Sequence, residues 1–172
     1  MPVLLVLFAV AALALSGTTA VEVMQAMTER ERIKAAMRGA AERYGIDPNI
    51  PDALAAVESG YDMGATNLTG PDGARGGAWG PTQLTERTAR AYGYAGPMDA
   101  LTTDPELAAE WTARILAARP GGPPPDIGAA AAWWNAGKRD LSLAPDSTRT
   151  VYYPRALAAY NAAAEEAGQV TA

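Results

Sequence analysis

The residue of this sequence best suited to acid–base chemistry is Glu58, which follows a short apolar run at 54–57. Ser59 and Gly60 come directly after it, and glycine favours the left-handed backbone that ends many helices. A carboxyl group held among apolar side chains at such a helix end keeps its proton to a higher pH than one in water. Glu58 is therefore a candidate general acid, although most glutamates near helix ends are solvated surface residues.

The amino-acid inventory limits the other chemistry that the chain can perform. Its 172 residues include no Cys and no His, which removes Cys–His and Ser–His nucleophiles and imidazole-based zinc sites. A catalyst built from the remaining residue types must use carboxylates, lysine, tyrosine, backbone amides or a hard metal. The formal net charge of −5, without a cluster of Lys or Arg, argues against nucleic acid as a partner.

Two segments precede the part of the chain that contains Glu58. Residues 1–21 are uncharged and include the apolar run 3–15, so they approach the ~20 residues that span a bilayer. We expect an uncleaved anchor helix here. A secretory signal is the alternative, because small residues at 18–20 suit a cleavage site, but no Lys or Arg precedes the apolar run. Residues 22–44 predict an amphipathic linker helix, since apolar residues recur in it at helical spacing.

The rest of the chain predicts an all-α domain at 45–168, followed by a short tail at 169–172. Alanine is abundant and β-branched residues do not alternate, so we expect little sheet. Asp104 followed by Pro105 is typical of a helix start, and Gly137 is typical of a helix end. The predicted helices lie at about 51–59, 81–92, 104–118, 126–137 and 151–167, with loops at 60–78 and 138–149.

Three further segments follow Glu58 in an order that a known family shares. The first, RGGAWGPTQL, has closely spaced glycines and Gln83; the second, AWWNAG, sets Asn135 after paired tryptophans. The third, TVYYP, contains Tyr152. In this order and spacing, over about residues 44–162, they resemble the soluble-lytic-transglycosylase-like (SLT domain) family, lysozyme-like enzymes that cleave peptidoglycan. The family pattern is Glu-Ser-Gly at a helix end, then Gly-x-x-Gln, Ala-Tyr-Asn-Ala-Gly and Tyr-Val-Pro.

The resemblance implies a lysozyme-like, all-α fold behind the apolar N-terminal helix, and the activity of a peptidoglycan lytic transglycosylase. Glu58 would act as the sole acid and then as the base. It would cleave the β-1,4 bond between N-acetylmuramic acid (MurNAc) and N-acetylglucosamine (GlcNAc) and leave 1,6-anhydro-MurNAc. Such chemistry needs no metal and no cofactor. The residues implied to bind the glycan are Ser59, Gln83, Trp134, Asn135 and Tyr152.

The residue types in these segments suit a saccharide. Gln83 and Asn135 can donate and accept the hydrogen bonds that an N-acetyl group requires. The aromatic residues that could stack on sugar rings, or equally well pack in the core, are Tyr61, Trp79, Trp133 and Trp134.

The sequence departs from the family pattern in the segments that contain Trp134 and Tyr152. Trp134 stands where the family has Tyr before Asn, so a hydroxyl that could contact Glu58 is missing unless another Tyr supplies it. One extra residue also separates the Ser-Thr-Arg segment at 147–149 from Tyr152. We expect these changes to affect glycan binding more than proton transfer.

Other functions remain open at the level of sequence. A muramidase that hydrolyses the same bond would need a second carboxylate to position water, for which Asp62 and Asp72 are candidates, although Asp also favours turns. A non-catalytic, lysozyme-like component of a virion or secretion machine would not require the Glu58 acid. In each case we expect action in the cell envelope, on its periplasmic side. Residues 3–21 would then lie in a membrane or in an envelope or virion assembly.

Overall fold

The computed structural model describes residues 27–68 and 77–168. The predicted anchor helix at 1–21, the first residues of the linker helix and the tail at 169–172 lie outside the described residues. Among the residues described, no helix is long and apolar enough to cross a membrane.

Six α-helices make up most of the described chain. They are α1 (Glu29–Arg43), α2 (Asn49–Glu58), α3 (Glu86–Ala91), α4 (Pro105–Ala117), α5 (Ile127–Ala136) and α6 (Tyr153–Glu166). Between them lie two 3-10 turns, Met98–Thr102 and Leu141–Leu143, and one π-helical turn, Thr148–Tyr152. This mainly helical composition agrees with the predicted all-α, lysozyme-like domain.

Local sequence signals explain where several helices begin and end. Thr28 and Glu31 form a capping box at the start of α1: the Thr28 hydroxyl accepts from the Glu31 amide at 3.2 Å, and the Glu31 carboxylate accepts from the Thr28 amide at 2.7 Å. The Asp104 carboxylate accepts a backbone amide at 2.9 Å and Pro105 is the first residue of α4, as predicted. Gly137 ends α5 with a left-handed φ of 62°, also as predicted.

Three strands of two residues each form a small antiparallel sheet. β1 (Thr66–Asn67) pairs with β2 (Ala78–Trp79), which pairs in turn with β3 (Leu84–Thr85). Opposed residues are Thr66 and Trp79 in the first pair, and Ala78 and Thr85 in the second. The helix predicted at 81–92 is shorter than expected, because Gln83 adopts a left-handed φ of 51° and helical geometry starts only after β3.

α2 is part of the main hydrophobic core. Its residues Ile50 and Leu54 are completely buried, in one cluster with Met37 of α1. Tyr61 belongs to the same cluster and is only 8 % exposed, so it packs in the core and does not offer its ring to a sugar. Burial of this apolar surface stabilises the helix that carries Glu58.

A second hydrophobic cluster involves β3 and the helices next to it. It includes Leu84, Tyr94, Leu101 and Ile115. The indole of Trp134 is half-buried and packs against both clusters. α5 therefore joins the two parts of the core.

Candidate active site

Glu58 is the last residue of α2 and is half-buried, at a point where the chain turns sharply. Gly60 and Tyr61 follow with left-handed φ values of 69° and 67°. Their amides donate to carbonyl groups in the last turn of α2, at 3.1 and 3.2 Å. These bonds satisfy carbonyl groups that a helix end would otherwise leave unpaired. The buried helix and the closed turn together fix the backbone position of Glu58.

The Glu58 carboxyl group has one hydrogen-bond partner among the described residues. The Tyr152 hydroxyl donates to Oε1 of Glu58 at 2.6 Å. Burial and the neighbouring carboxyl group raise the pKa of Tyr152, so the tyrosine stays a neutral donor. With Oε1 engaged in this way, Oε2 is the oxygen left to carry and transfer a proton.

The surroundings of Glu58 favour its protonated form. Burial raises the pKa of the Glu58 carboxyl above its ordinary value, while the Tyr152 hydrogen bond and the Arg155 charge act in the opposite direction. The Arg155 guanidinium also donates to the Val57 carbonyl at 3.2 Å. A carboxyl group whose pKa is raised retains its proton closer to neutral pH, as a general acid must.

Tyr152 reaches Glu58 from the π-helical turn that precedes α6. A π-helical turn accommodates an additional residue in a helix and often occurs at a functional site. This turn lies where the sequence has its extra residue before Tyr152. At the start of the turn, buried Thr148 donates from Oγ1 to Oδ1 of Asn135 at 2.7 Å. The turn therefore connects the acid with Asn135 at the end of α5.

Ser59 ties the end of α2 to the segment before Gln83. Its hydroxyl donates to the Pro81 carbonyl at 2.9 Å and accepts from the Asp62 amide at 3.0 Å. The structure thus places Ser59 in the support of the Glu58 turn. Its contact with a glycan stays a prediction.

Gln83 and Trp134 are both held by backbone carbonyl groups. Gln83 donates from Nε2 to the carbonyls of Ala65 and Gly80, at 3.1 and 3.0 Å. Trp134 donates from Nε1 to the Thr82 carbonyl at 3.0 Å. No described residue bonds to the side-chain oxygen of Gln83, which is left to accept from a ligand group such as the N–H of an N-acetyl substituent.

Gln83, Trp134 and Asn135 share the lining of a cavity of about 660 Å³. This volume lies within the range of small-molecule sites. Asn135 is exposed, and its Nδ2 group bonds to no residue in the described part of the chain. The structure thus brings three of the predicted glycan-binding residues to one cavity, whereas Ser59 and Tyr152 hold the turn and the carboxyl group of the acid.

A comparison with protein-family models matched residues 35–171 to the family described as the transglycosylase SLT domain. The chain belongs to the SLT transglycosylase family. The family resemblance predicted from the four sequence motifs is thereby confirmed. At the level of the family, this assigns the domain to glycosidic bond cleavage in peptidoglycan. Comparisons with curated proteins and with solved structures gave no match.

A second carboxyl group of this SLT domain has a raised pKa but is out of reach of a substrate. Asp52 is completely buried, which raises its pKa, and the Tyr61 hydroxyl donates to its Oδ1 at 2.8 Å. Lys34 and Arg38 approach its Oδ2 at 3.8 and 3.7 Å. Because 0 % of Asp52 is exposed, Glu58 is the better placed of the two acids for catalysis.

Two residues of the SLT domain site were not predicted from the sequence. Thr148 bonds to Asn135 and belongs to the Ser-Thr-Arg segment, whose spacing to Tyr152 departs from the family pattern. The extra residue in this spacing could have indicated an unusual backbone at this position. No local signal marks Arg155, because its partner Val57 lies 98 residues away. Within residues 27–68 and 77–168, no cluster of acidic side chains is suited to hold a metal ion.

Proposed function

We propose that this SLT domain is a peptidoglycan lytic transglycosylase in which Glu58 serves first as acid and then as base. The observation that carries the proposal is the state of the Glu58 carboxyl group. It ends a buried helix, its pKa is raised by burial, and Tyr152 holds one of its oxygens at 2.6 Å. The bond cleaved is the β-1,4 linkage between MurNAc and GlcNAc.

In the first step, protonated Glu58 donates from Oε2 to the glycosidic oxygen while the bond from that oxygen to C1 of MurNAc breaks. GlcNAc leaves with the proton on its 4-hydroxyl, and the MurNAc ring acquires oxocarbenium character. The Tyr152 hydrogen bond to Oε1 stabilises the carboxylate that Glu58 becomes. The nearby positive charge of Arg155 acts in the same direction.

In the second step, the Glu58 carboxylate accepts the proton of the muramyl 6-hydroxyl while O6 attacks C1. One C–O bond has broken and one has formed, and Glu58 has regained its proton. No water or cofactor is consumed. The product is a glycan that ends in 1,6-anhydro-MurNAc.

A hydrolase would use a second carboxylate to activate water, and the position of Asp62 favours the transglycosylase. Asp62 is exposed, and its carboxylate accepts a backbone amide of its own turn at 2.9 Å. Asp72, the other predicted candidate, lies outside the described residues.

The substitution Glu58→Gln tests the role of the acid. Glutamine is nearly isosteric and its side-chain oxygen can still accept from Tyr152, but it has no proton to transfer. We expect cleavage of peptidoglycan in a zymogram to fall by at least ~10²-fold. Glu165→Gln, at an exposed position of α6, is the matched control and should retain full activity. Cleavage at the wild-type level by folded Glu58→Gln protein would overturn the proposal.

The proposed place of action is the cell envelope, because the proposed substrate is peptidoglycan. The uncharged segment 1–21 supports an anchor in a membrane or in an envelope or virion assembly. Intact-mass measurement of the protein from its native source tests this part of the proposal. We expect the segment to be retained, and a mature N-terminus near Val21 would show that it is a cleaved signal instead.

A further inference from the structure

The cavity beside Trp134 contains a charge that the proposed chemistry does not use. Among the described residues that line it, Arg87 alone is charged, and the others are polar, aromatic or aliphatic. It lies in the first turn of α3 and is exposed. The acidic neighbour Glu86 pairs with Arg90 instead, at 3.3 Å.

Arg87 has all of its donors available for a ligand. Its guanidinium forms no ion pair and no hydrogen bond with any residue of the described chain. A guanidinium presents five N–H donors in a planar fork that matches a carboxylate, and it remains charged at any physiological pH. The whole chain carries a net charge of −5, whereas Arg87 gives this cavity wall a positive charge. The wall therefore attracts an anion.

The rest of the lining suits an anion that is attached to a sugar. Tyr92, Trp133 and Trp134 contribute aromatic surface, and Gln83 and Asn135 contribute amide groups. Aromatic faces and amides together are the groups that contact the apolar faces and N-acetyl substituents of a glycan.

The cavity is also connected to the acid through a single turn of the chain. Asn135, in the cavity lining, accepts from Thr148 at 2.7 Å. Tyr152, at the other end of the same π-helical turn, donates to Glu58 at 2.6 Å. One end of this turn therefore contacts a residue of the cavity lining, and the other end contacts the acid.

We propose that Arg87 binds a carboxylate on the muramyl substituent of the glycan, and that the cavity is where this substituent lies. The inference rests on the proposed function, because it takes peptidoglycan as the substrate. Two sources supply such a carboxylate: the peptide attached to MurNAc, and the lactyl group of MurNAc once that peptide has been removed. An oligomer of GlcNAc alone contains neither.

The test is a binding measurement on the full chain that carries Glu58→Gln, so that no ligand is cleaved. Three ligands are compared by calorimetry: a peptide-bearing MurNAc–GlcNAc tetrasaccharide, the same tetrasaccharide without peptide, and a GlcNAc tetramer. In this background, Arg87→Gln removes the charge, and Arg87→Lys keeps the charge but loses the planar fork. Arg32→Gln, at an exposed position of α1, is the matched control.

We expect Arg87→Gln to weaken the binding of at least one carboxylate-bearing ligand by about tenfold or more, and to leave the GlcNAc tetramer unaffected. A loss confined to the peptide-bearing ligand assigns the carboxylate to the peptide, and a loss confined to the peptide-free ligand assigns it to the lactyl group. Arg87→Lys should give an intermediate loss, and the Arg32→Gln control none.

Unchanged binding of both carboxylate-bearing ligands by the Arg87→Gln protein would overturn the inference and leave the proposed function intact. A loss that is equally large for the GlcNAc tetramer would also overturn it, because Arg87 would then contact the sugar itself. Absence of binding to every glycan by folded protein that retains Arg87 would overturn both the inference and the proposed function.

Discussion

The Tyr152 hydroxyl lies 2.6 Å from Oε1 of Glu58, although 94 residues separate the two in the chain. This bond joins the end of α2 to the residue that precedes α6. It engages one oxygen of the acid, stabilises the carboxylate form, and leaves the second oxygen to exchange a proton with the substrate. Trp134 cannot supply this hydroxyl, and Tyr152 does so from the π-helical turn.

Tyr152→Phe is expected to lower kcat and to move the alkaline limb of the pH–activity profile to higher pH. The hydrogen bond lowers the pKa of Glu58, so its loss raises that pKa and keeps the acid protonated to higher pH. The unrestrained carboxyl group should also reduce kcat about tenfold. The pH dependence of kcat/KM for both proteins checks this. A limb that stays in place or moves to lower pH would contradict it.

Arg155→Gln is expected to move the same alkaline limb to higher pH, with a smaller change in kcat than Tyr152→Phe. The positive charge of Arg155 lowers the pKa of Glu58, so a neutral side chain lets the acid hold its proton to higher pH. Arg155→Lys keeps the charge and should leave the limb close to its wild-type position, as should the remote control Arg32→Gln. If Arg155→Gln left the limb unchanged, the charge would have no influence on the acid.

Glu58→Gln is expected to stabilise the folded protein at neutral pH. The pKa of Glu58 is higher in the folded protein than in the unfolded chain. Glu58 therefore makes its full contribution to the free energy of unfolding at pH values below the unfolded pKa. That contribution is lost as pH rises through the folded pKa, because a charged carboxylate must then stay buried. The Tm of the variant should exceed that of the wild type near pH 8, and the difference should shrink towards about pH 4. A difference that grows on acidification would show that the pKa is not raised.

The helix ends of this domain were predictable because their signals are local. Asp104, Pro105 and Gly137 mark a start and an end by their own backbone and side-chain preferences. The left-handed backbone of Tyr61 and Gln83 was not predictable, since residues other than glycine rarely adopt positive φ. The side chains of both residues form hydrogen bonds to residues elsewhere in the fold. Tyr61 donates to Asp52, and Gln83 donates to the Ala65 carbonyl.

The site itself was predictable only in part. The four motifs identify the family and indicate Glu58 as the acid, because they occur in this sequence in the same order as in the family pattern. The pairing of Tyr152 with Glu58 depends on the π-helical turn and on the position of α6 beside α2, and neither is a local property. The sequence indicates Tyr152 only as a glycan-binding residue, which stays a prediction, and the structure adds that its hydroxyl donates to the acid.

Thr148→Val is expected to reduce activity while costing only about 1 kcal/mol in the free energy of unfolding. The substitution removes the bond from Oγ1 of Thr148 to Asn135, but exposed Asn135 can accept from water instead. The π-helical turn then loses this hydrogen bond to α5, so Tyr152 should hold Glu58 less firmly. Denaturant unfolding and kcat are measured together. Full activity in the variant would show that this hydrogen bond does not serve catalysis.

The central claim is that Glu58 closes the muramyl 6-hydroxyl onto C1 without the use of water, and the products of digestion test it most directly. Purified peptidoglycan is incubated with the full chain, and the released fragments are analysed by mass spectrometry. The account predicts MurNAc ends in the 1,6-anhydro form, one water lighter than reducing ends, and none from the Glu58→Gln protein. Reducing MurNAc ends as the initial product would contradict it and would assign the domain to hydrolysis.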